Sequence, residues 1–263
     1  MFKKIVTVFV VILGLIVLSY GYFHYQSKLK SVSENNITKS AIKGSVLNSQ
    51  MVSSSSSTAI SNISKLDKNL PTTVQEGLKK AAAENKPFVL TIFVKSNSTL
   101  TDTLKKSILS AYGDGSWTIN VINYNQETSA DLVNSSLLSQ VGQTRPDLIL
   151  YEAPLFNDNL NNIIDGSIQN EESILSTLSK TGATLMVEPS APIYNGIVYP
   201  TQETSLKQAV TGKYNYVDTW STFPAGNSVE MKNLTVNDGS FYTLNDAGNK
   251  VWLDYLNQLF ISK

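Results

Sequence analysis

The sequence alternates short apolar runs with segments of helical periodicity between residues 71 and 260, and this alternation is its strongest constraint on the fold. Strands that alternate with helices in this way predict a parallel sheet covered by helices on both faces. The predicted strands are Phe88–Val94, Trp117–Ile122, Asp147–Tyr151, Thr184–Val187 and Tyr214–Val217. The sequence therefore predicts one three-layer, doubly wound α/β domain of roughly 190 residues.

Helical spacing of apolar residues predicts the layers that cover this sheet. Thr72 or Thr73 can cap the first helix, and the last helix is amphipathic, with Trp252 on its apolar face. The predicted helices are Val74–Ala83, Thr101–Ala111, Thr128–Val141, Glu171–Leu178, Gln202–Thr211 and Ala247–Phe260.

Composition excludes several classes of site. The chain has no cysteine, one histidine (His24), and equal numbers of acidic and basic residues, 21 of each. The lack of cysteine excludes disulfides, thiol nucleophiles and cysteine-ligated metals, and the charge balance gives no indication of a nucleic-acid partner. A carboxylate and carbonyl site for Ca²⁺ is the remaining metal site, and no EF-hand spacing is present. We expect neither a metal nor a cofactor.

An apolar segment near the N-terminus predicts a membrane anchor. Ile5–Phe23 is long enough to cross a bilayer core of about 30 Å, and Lys3 and Lys4 precede it on the predicted cytoplasmic side. A cleaved signal peptide is the alternative, but bulky aromatics flank the small residues near Ser19, and no A-x-A site appears. We predict that residues 1–25 form a cytoplasmic tail and a single-pass transmembrane helix, with the C-terminal domain outside the cell membrane.

Residues 26–70 contain few apolar residues and include a run of serines, Ser53–Ser57. This composition is typical of a flexible polar linker. We predict a stalk over residues 26–70 and an extracellular domain over residues 71–263.

A cluster of short polar side chains, Asn157, Asp158 and Asn159, follows the predicted strand Asp147–Tyr151. In open α/β sheets ligands bind beyond the carboxyl ends of the strands, so this loop lies where a site would be. The simpler interpretation is that asparagine and aspartate make a turn there.

Four sequence segments of the domain are considered together because of their order along the chain. The first strand ends in Val94-Lys95-Ser96, and the third is followed by Leu155-Phe156-Asn157-Asp158. Tyr124–Ser129 lies between them, and Asp238–Asn249 precedes the closing helix. Together they resemble the sequence blocks of the SGNH (GDSL-type) hydrolases, and more narrowly those membrane-anchored members that are associated with exopolysaccharide and capsule biosynthesis in Gram-positive bacteria. The resemblance implies an SGNH hydrolase-like, flavodoxin-like fold.

The resemblance also implies roles for single residues. Ser96 falls at the position of the nucleophile, and Asn157 at the position of an oxyanion-hole donor. The second oxyanion donor of the family is a glycine N–H, and Gln126 or Glu127 stands in its place.

The last segment lacks the catalytic histidine of the family. Alignment from Asp238 places that residue at the acid position and Phe241 at the histidine, whereas alignment from Leu244-Asn245-x-x-Gly248 places Thr243 there. A serine hydroxyl needs a positioned base to take its proton. His24 cannot serve, because it is predicted to lie at the membrane interface.

Other bases are conceivable but have no support in the sequence. Lys95 is adjacent to Ser96, and neighbours on an extended chain point to opposite faces. A carboxylate such as Asp158, Asp238 or Asp246 would need a pKa raised well above its usual value of about 4 to act near neutral pH.

From this resemblance and the missing histidine we predict a degenerate, non-hydrolytic SGNH-like protein that acts in exopolysaccharide biosynthesis, modification or surface retention. The predicted ligand is a polysaccharide or other glycan, held by Asn157, Asp158 and Asn159 and by a stacking wall of Tyr194 and Trp220 with Tyr199. Core positions are the simpler interpretation of Trp220 and Trp252. An active esterase or acyl transferase that uses Ser96 is one alternative, and a scaffold for polysaccharide-assembly proteins is another.

Overall fold

The computed structural model describes residues 62–237, 239 and 241–262. Its main sheet has five strands, all parallel, in the order β2-β1-β3-β4-β5. The strands are β1 (Phe88–Lys95), β2 (Trp117–Tyr124), β3 (Leu148–Ala153), β4 (Thr184–Pro189) and β5 (Asn215–Tyr216). This is the flavodoxin-like order of doubly wound sheets, so the predicted α/β class is confirmed.

Helices cover both faces of this sheet. They are α1 (Thr72–Ala83), α2 (Ser98–Tyr112), α3 (Ser129–Val133), α4 (Ser136–Gln143), α5 (Leu155–Leu160), α6 (Ser167–Ser179), α7 (Tyr199–Val210), α8 (Val229–Asn233) and α9 (Asp246–Phe260). A 3₁₀ turn at Thr219–Thr222 follows β5, and a short antiparallel hairpin of β6 (Thr235–Asn237) and β7 (Tyr242–Leu244) precedes α9.

The strands send alternate side chains into two cores, because strand residues point to opposite faces in turn. On β3, Leu148 and Leu150 enter the core beneath α1, α2 and α9. Ile149 and Tyr151 enter the core on the other face, beneath α3, α4, α6 and α7. All four residues are fully buried, which explains why β3 reads as a continuous apolar run.

The predicted helix Thr128–Val141 is interrupted. The structure has two short helices there, α3 and α4, and the Ser135 hydroxyl accepts a hydrogen bond from the Leu137 N–H to cap the second. Local serine capping competes with a continuous helix at this point, which helical spacing alone does not indicate.

The predicted polar loop after β3 is a helix. α5 begins directly after Pro154, and its first four residues, including Asn157 and Asp158, are buried. Turn propensity gave the wrong prediction, because these polar side chains are satisfied by tertiary hydrogen bonds rather than by solvent.

The N-cap of α1 is not the threonine that the sequence predicted. Pro71 occupies the N-cap position of α1 and makes no side-chain cap hydrogen bond, and Thr72 is already helical. Proline is well tolerated at a helix start because the first N–H groups have no intrahelical acceptor.

Residues 62–70 belong to the packed domain rather than to a stalk. Residues 62–66 are helical, and the side chains of Ile63 and Leu70 lie in the core beneath α9. The Ser262 N–H donates to the Leu66 carbonyl oxygen at 2.7 Å, which ties this segment to the end of the chain. The packed domain therefore includes residues 62–70, which the sequence analysis assigned to the stalk.

Within residues 62–262, no described helix is both long and apolar enough to cross a membrane. The predicted anchor Ile5–Phe23, the stalk up to residue 61 and Asp238 lie outside the described residues.

Candidate active site

A cavity of about 320 Å³ opens at the carboxyl edge of the sheet, between the end of β1, the end of β3 and the start of α9. Its walls include Lys95, Ser96, Glu152, Phe156, Thr243 and Trp252. The sheet topology predicts a site at this edge, and the cavity is there.

Ser96 lies in the turn that joins β1 to α2. Its N–H donates to the Tyr124 carbonyl oxygen at 2.7 Å, which continues the β1–β2 ladder by one bond, and its side chain is exposed. Asn97 then caps α2 by accepting a hydrogen bond from the Leu100 N–H. The hydroxyl of the predicted nucleophile is thus presented at the cavity by a fixed strand-to-helix turn.

Of the two residues that align with the missing histidine, Thr243 lines the same cavity as Ser96. Phe241 instead packs edge-to-face against Phe156, with ring centroids 5.2 Å apart. The alignment from Leu244-Asn245-x-x-Gly248 is therefore the one that matches the structure. A threonine hydroxyl at this place has no useful basicity near neutral pH and cannot take the serine proton.

Asn157, the predicted oxyanion donor, uses its side-chain amide for internal hydrogen bonds in this arrangement. Its side-chain amide donates one hydrogen to the Asn125 carbonyl oxygen at 3.1 Å and the other to the Glu127 carbonyl oxygen at 2.9 Å. Rotation of the amide by 180° would place its oxygen against two carbonyl oxygens, so the orientation is determined by the contacts. The side chain is 1% exposed and fastens the β2–α3 loop to α5.

The two neighbours of Asn157 also make internal contacts. Asp158 is fully buried, with one carboxylate oxygen accepting from the Ser129 N–H at 2.7 Å and the other from the Ser167 hydroxyl. Burial raises the pKa of Asp158, and these two hydrogen bonds oppose that rise. Asn159 donates to the Gln202 side chain at 3.1 Å. The predicted polar ligand surface at Asn157 and Asp158 is therefore interior structure.

The predicted stacking wall is not formed. Tyr199 is 1% exposed, and Trp220 packs on it with ring centroids 5.3 Å apart. The Trp220 indole N–H donates to the Ser190 carbonyl oxygen, which fixes the ring to the protein. Tyr194 pairs with Tyr242 instead, at 5.0 Å. Tyr199 and Trp220 therefore pack in and against the core, and Tyr194 packs against the β6–β7 hairpin.

Lys95 and Glu152 are far apart in the sequence, yet both line the cavity beside Ser96. The Glu152 carboxylate accepts a hydrogen bond from the Lys95 N–H at 3.1 Å. Burial raises the pKa of Glu152 to about 7, although this bond and the Lys95 charge oppose the rise. Burial lowers the pKa of Lys95, and Glu152 partly offsets that shift. The sequence signal for Glu152 as a site residue was its position directly after the predicted apolar strand Asp147–Tyr151.

Glu188 lies beside Glu152 in the register of β4 against β3, so the two side chains project toward the same face of the sheet. Glu188 is fully buried, and the Trp252 indole N–H donates to it at 3.2 Å. Burial and the neighbouring Glu152 raise the pKa of Glu188 well above its usual range.

Comparisons with known proteins place this architecture. No protein-family profile and no curated protein matches the chain. Among solved structures, a protein of the G-D-S-L family from Desulfitobacterium hafniense is 12% identical to this chain, and the match covers 65% of this chain and 98% of that protein, with a TM-score of 0.50. A carbohydrate esterase of family 3 from Talaromyces cellulolyticus is also 12% identical, over 65% of this chain and 94% of its own, with a TM-score of 0.50. The fold is that of the SGNH hydrolases.

Within this SGNH fold, the Leu-Asn-x-x-Gly segment has a structural role. The Asn245 side chain caps α9 by accepting from the Gly248 N–H at 3.0 Å, and its amide donates to the Asn233 carbonyl oxygen at 2.8 Å. Gly248 packs so closely that a Cβ would lie 2.3 Å from the Leu234 carbonyl oxygen. The segment therefore joins α8 to α9, and it positions Thr243 at the cavity.

Asp246, another candidate base, is the first residue of α9 and is exposed. Among the lining residues of the cavity, the carboxylate is that of Glu152.

Proposed function

We propose that this protein is a membrane-anchored, extracytoplasmic SGNH-like protein that binds a glycan without hydrolysing esters. It would act in exopolysaccharide biosynthesis, modification or cell-surface retention. The resemblance of the four sequence segments and the predicted N-terminal anchor motivate the cellular setting. The arrangement of residues around Ser96 motivates the lack of hydrolysis.

The observation that carries the proposal is the state of Asn157. Acyl transfer by a serine requires donors aimed at the developing oxyanion, and loss of one donor costs about 10²–10³ in rate. Both amide hydrogens of Asn157 are already donated to main-chain carbonyl oxygens. A second requirement, a positioned base, is not met either, because Thr243 stands where the histidine is expected. Loss of the imidazole lowers the rate of acyl transfer by several further orders of magnitude.

The cavity itself supports binding. Its volume of about 320 Å³ lies at the lower end of the range for small-molecule pockets, about 300–1,000 Å³. Hydroxyl and amide groups of Ser96, Asn97 and Asn249 stand beside the apolar walls. Polar groups beside apolar surface suit a sugar, which presents hydroxyls at its edge and C–H groups on its faces.

The test combines turnover and binding with the full-length protein in mild detergent. We expect hydrolysis of p-nitrophenyl acetate at background rate for the wild type, for Ser96→Ala and for the control Ser110→Ala, which changes an exposed serine of α2. We expect binding to purified exopolysaccharide fragments on a glycan array, weakened by Ser96→Trp, which fills the cavity. Turnover lost only in Ser96→Ala would overturn the non-hydrolytic proposal.

A second candidate function is an esterase or acyl transferase that uses Ser96 with an atypical base. The specific observation in its favour is that Ser96, Lys95 and Glu152 line one cavity. Burial raises the pKa of Glu152 to about 7, which suits a general base near neutral pH. Turnover that depends on both Ser96 and Glu152 would establish this function. Neither turnover nor glycan binding would favour a scaffold for polysaccharide-assembly proteins.

A further inference from the structure

Lys95 is a half-buried lysine that lines the cavity. Lys95 ends β1, and its Nζ lies 4.5 Å from the centroid of the Phe156 ring. The ion pairs found among residues 62–262 are all formed by other lysines: Lys86, Lys207, Lys213 and Lys250. Within the described part of the chain, the Lys95 Nζ atom therefore has no carboxylate oxygen within 4.0 Å.

Desolvation without an ion pair is unfavourable for an ammonium group. Burial accordingly lowers the pKa of Lys95, and the more distant Glu152 carboxylate only partly offsets this. A ligand that brings an anionic group to Nζ would supply the missing partner. A neutral ligand would leave the ammonium desolvated and unpaired.

The remaining walls restrict what carries the anion. Leu100, Ile193 and Leu244 give an apolar surface, and Asn97 and Asn249 add amide groups able to bind hydroxyls. At about 320 Å³, the cavity has room for about one sugar residue or a group of similar size. These features together suit a monosaccharide unit that carries a single negative charge.

We propose that the cavity binds an anionic sugar residue of a glycan, a uronic acid or a sugar phosphate, whose anionic group pairs with the Lys95 ammonium. This inference rests on the proposed glycan-binding function and names the class of glycan. It assigns Lys95, which sequence reasoning considered only as a base for Ser96, to ligand recognition.

Glu152 gives the binding a distinctive pH dependence. The groups that face it are Lys95 on β1, Glu188 on β4, Tyr124 on β2 and Tyr199 on α7. Burial raises the pKa of Glu188 and of both tyrosines well above their usual ranges. Burial raises the pKa of Glu152 to about 7, so Glu152 gains negative charge as the pH rises through this value, and that charge repels an anion in the cavity.

The affinity for an anionic sugar should therefore fall as the pH rises through about 7. One titrating carboxyl limits the slope to about tenfold per pH unit. Glu152→Gln should flatten this dependence and increase the affinity at pH 8, because it removes the repelling charge and leaves a side chain of similar size.

The test uses saturation-transfer NMR titrations of the full-length protein in mild detergent. The matched probes are methyl β-D-glucuronide and methyl β-D-glucoside, which differ in the carboxylate, with glucose 1-phosphate as the phosphate probe. We expect an anionic probe to bind at least about tenfold more tightly than the glucoside at pH 6. Lys95→Met should remove this preference and Lys95→Arg should restore part of it. The control Lys180→Met, at an exposed lysine, should leave it unchanged.

The outcomes separate this inference from the function on which it rests. Equal affinity for the glucoside and both anionic probes would overturn the inference and leave glycan binding in place. An anionic preference that survives Lys95→Met would also overturn it. Binding of none of the probes, together with an empty glycan array, would overturn both. A preference for the glucuronide over the phosphate, or the reverse, would identify the anionic group.

Discussion

Replacing Gly248 with alanine tests the close contact between α9 and the turn after α8. The added Cβ would lie 2.3 Å from the Leu234 carbonyl oxygen and 2.9 Å from the Leu244 Cδ2 atom. Cβ contacts below 3.0 Å essentially do not occur, so α9 and the Leu234 carbonyl would have to separate by roughly 0.7 Å. That movement also stretches the cap between Asn245 and the Gly248 N–H.

The expected magnitude follows from opposing contributions. Alanine in place of glycine normally stabilises a helix by about 1 kcal/mol. Overpacking costs about 1–3 kcal/mol, and a weakened N-cap costs about 1 kcal/mol. We expect Gly248→Ala to lower the free energy of unfolding by about 2 kcal/mol, which corresponds to about 4–8 °C in Tm for a domain of this size.

Gly142→Ala is the matched control. Gly142 also lies in a helix, α4, but its added Cβ would meet only the Thr181 Cγ2 atom, at 3.8 Å. This variant should be as stable as the wild type or more stable by up to about 1 kcal/mol. The assay is thermal and urea unfolding followed by circular dichroism. If Gly248→Ala is no less stable than Gly142→Ala, the close contact does not exist.

Three further predictions concern the boundary, the interior and the cavity. Ile63→Ala should lower the free energy of unfolding by about 2–5 kcal/mol in urea, whereas a change in a flexible stalk would have no effect. Asn157→Asp should lower the free energy of unfolding by about 3 kcal/mol or more in the same assay, because it places a carboxylate against the Asn125 and Glu127 carbonyl oxygens. Unchanged stability would contradict the assigned contacts. Burial raises the pKa of Glu152 from 4.5 to about 7, so the native state keeps a proton that the unfolded state releases, and the stability from this group is lost as the pH rises from about 4.5 to 7. Urea unfolding at pH 5 and pH 7.5 should therefore show Glu152→Gln gaining about 1–3 kcal/mol relative to the wild type at the higher pH, and a constant difference would refute the shift.

The architecture follows from local sequence patterns to a large extent. Every strand of the main sheet overlaps a predicted run, and the largely buried strands β1, β3 and β4 have the continuous apolar signature of strands covered on both faces. Errors occur where polar residues are buried. The α5 helix contains Asn157 and Asp158, whose side chains find partners on α3 and α6 or in the β2–α3 loop, and such long-range hydrogen bonds leave no local pattern.

The site was predicted less completely, for a geometric reason. Alternation along an extended strand places Lys95 and Ser96 on opposite faces. The chain turns directly after β1, and both residues line the cavity. Glu152 shows the same limit, because its proximity to Lys95 depends on how β1 and β3 are paired, which follows from tertiary structure.

A residue of this domain that matches a catalytic sequence pattern can be needed for structure or for catalysis, and the two are separable. Asn157, Asn245 and Gly248 each match the pattern, and each is required by main-chain contacts that hold loops together: two carbonyl oxygens for Asn157, a helix cap for Asn245 and a near contact for Gly248. Such positions would match whether or not the domain reacts with an ester. The histidine is different, because its side chain is needed chiefly for proton transfer, and Thr243 stands there. The proposal of a domain that holds its ligand without cleaving it rests on these matching structural positions, on the unmatched proton-transfer position and on the cavity beside them.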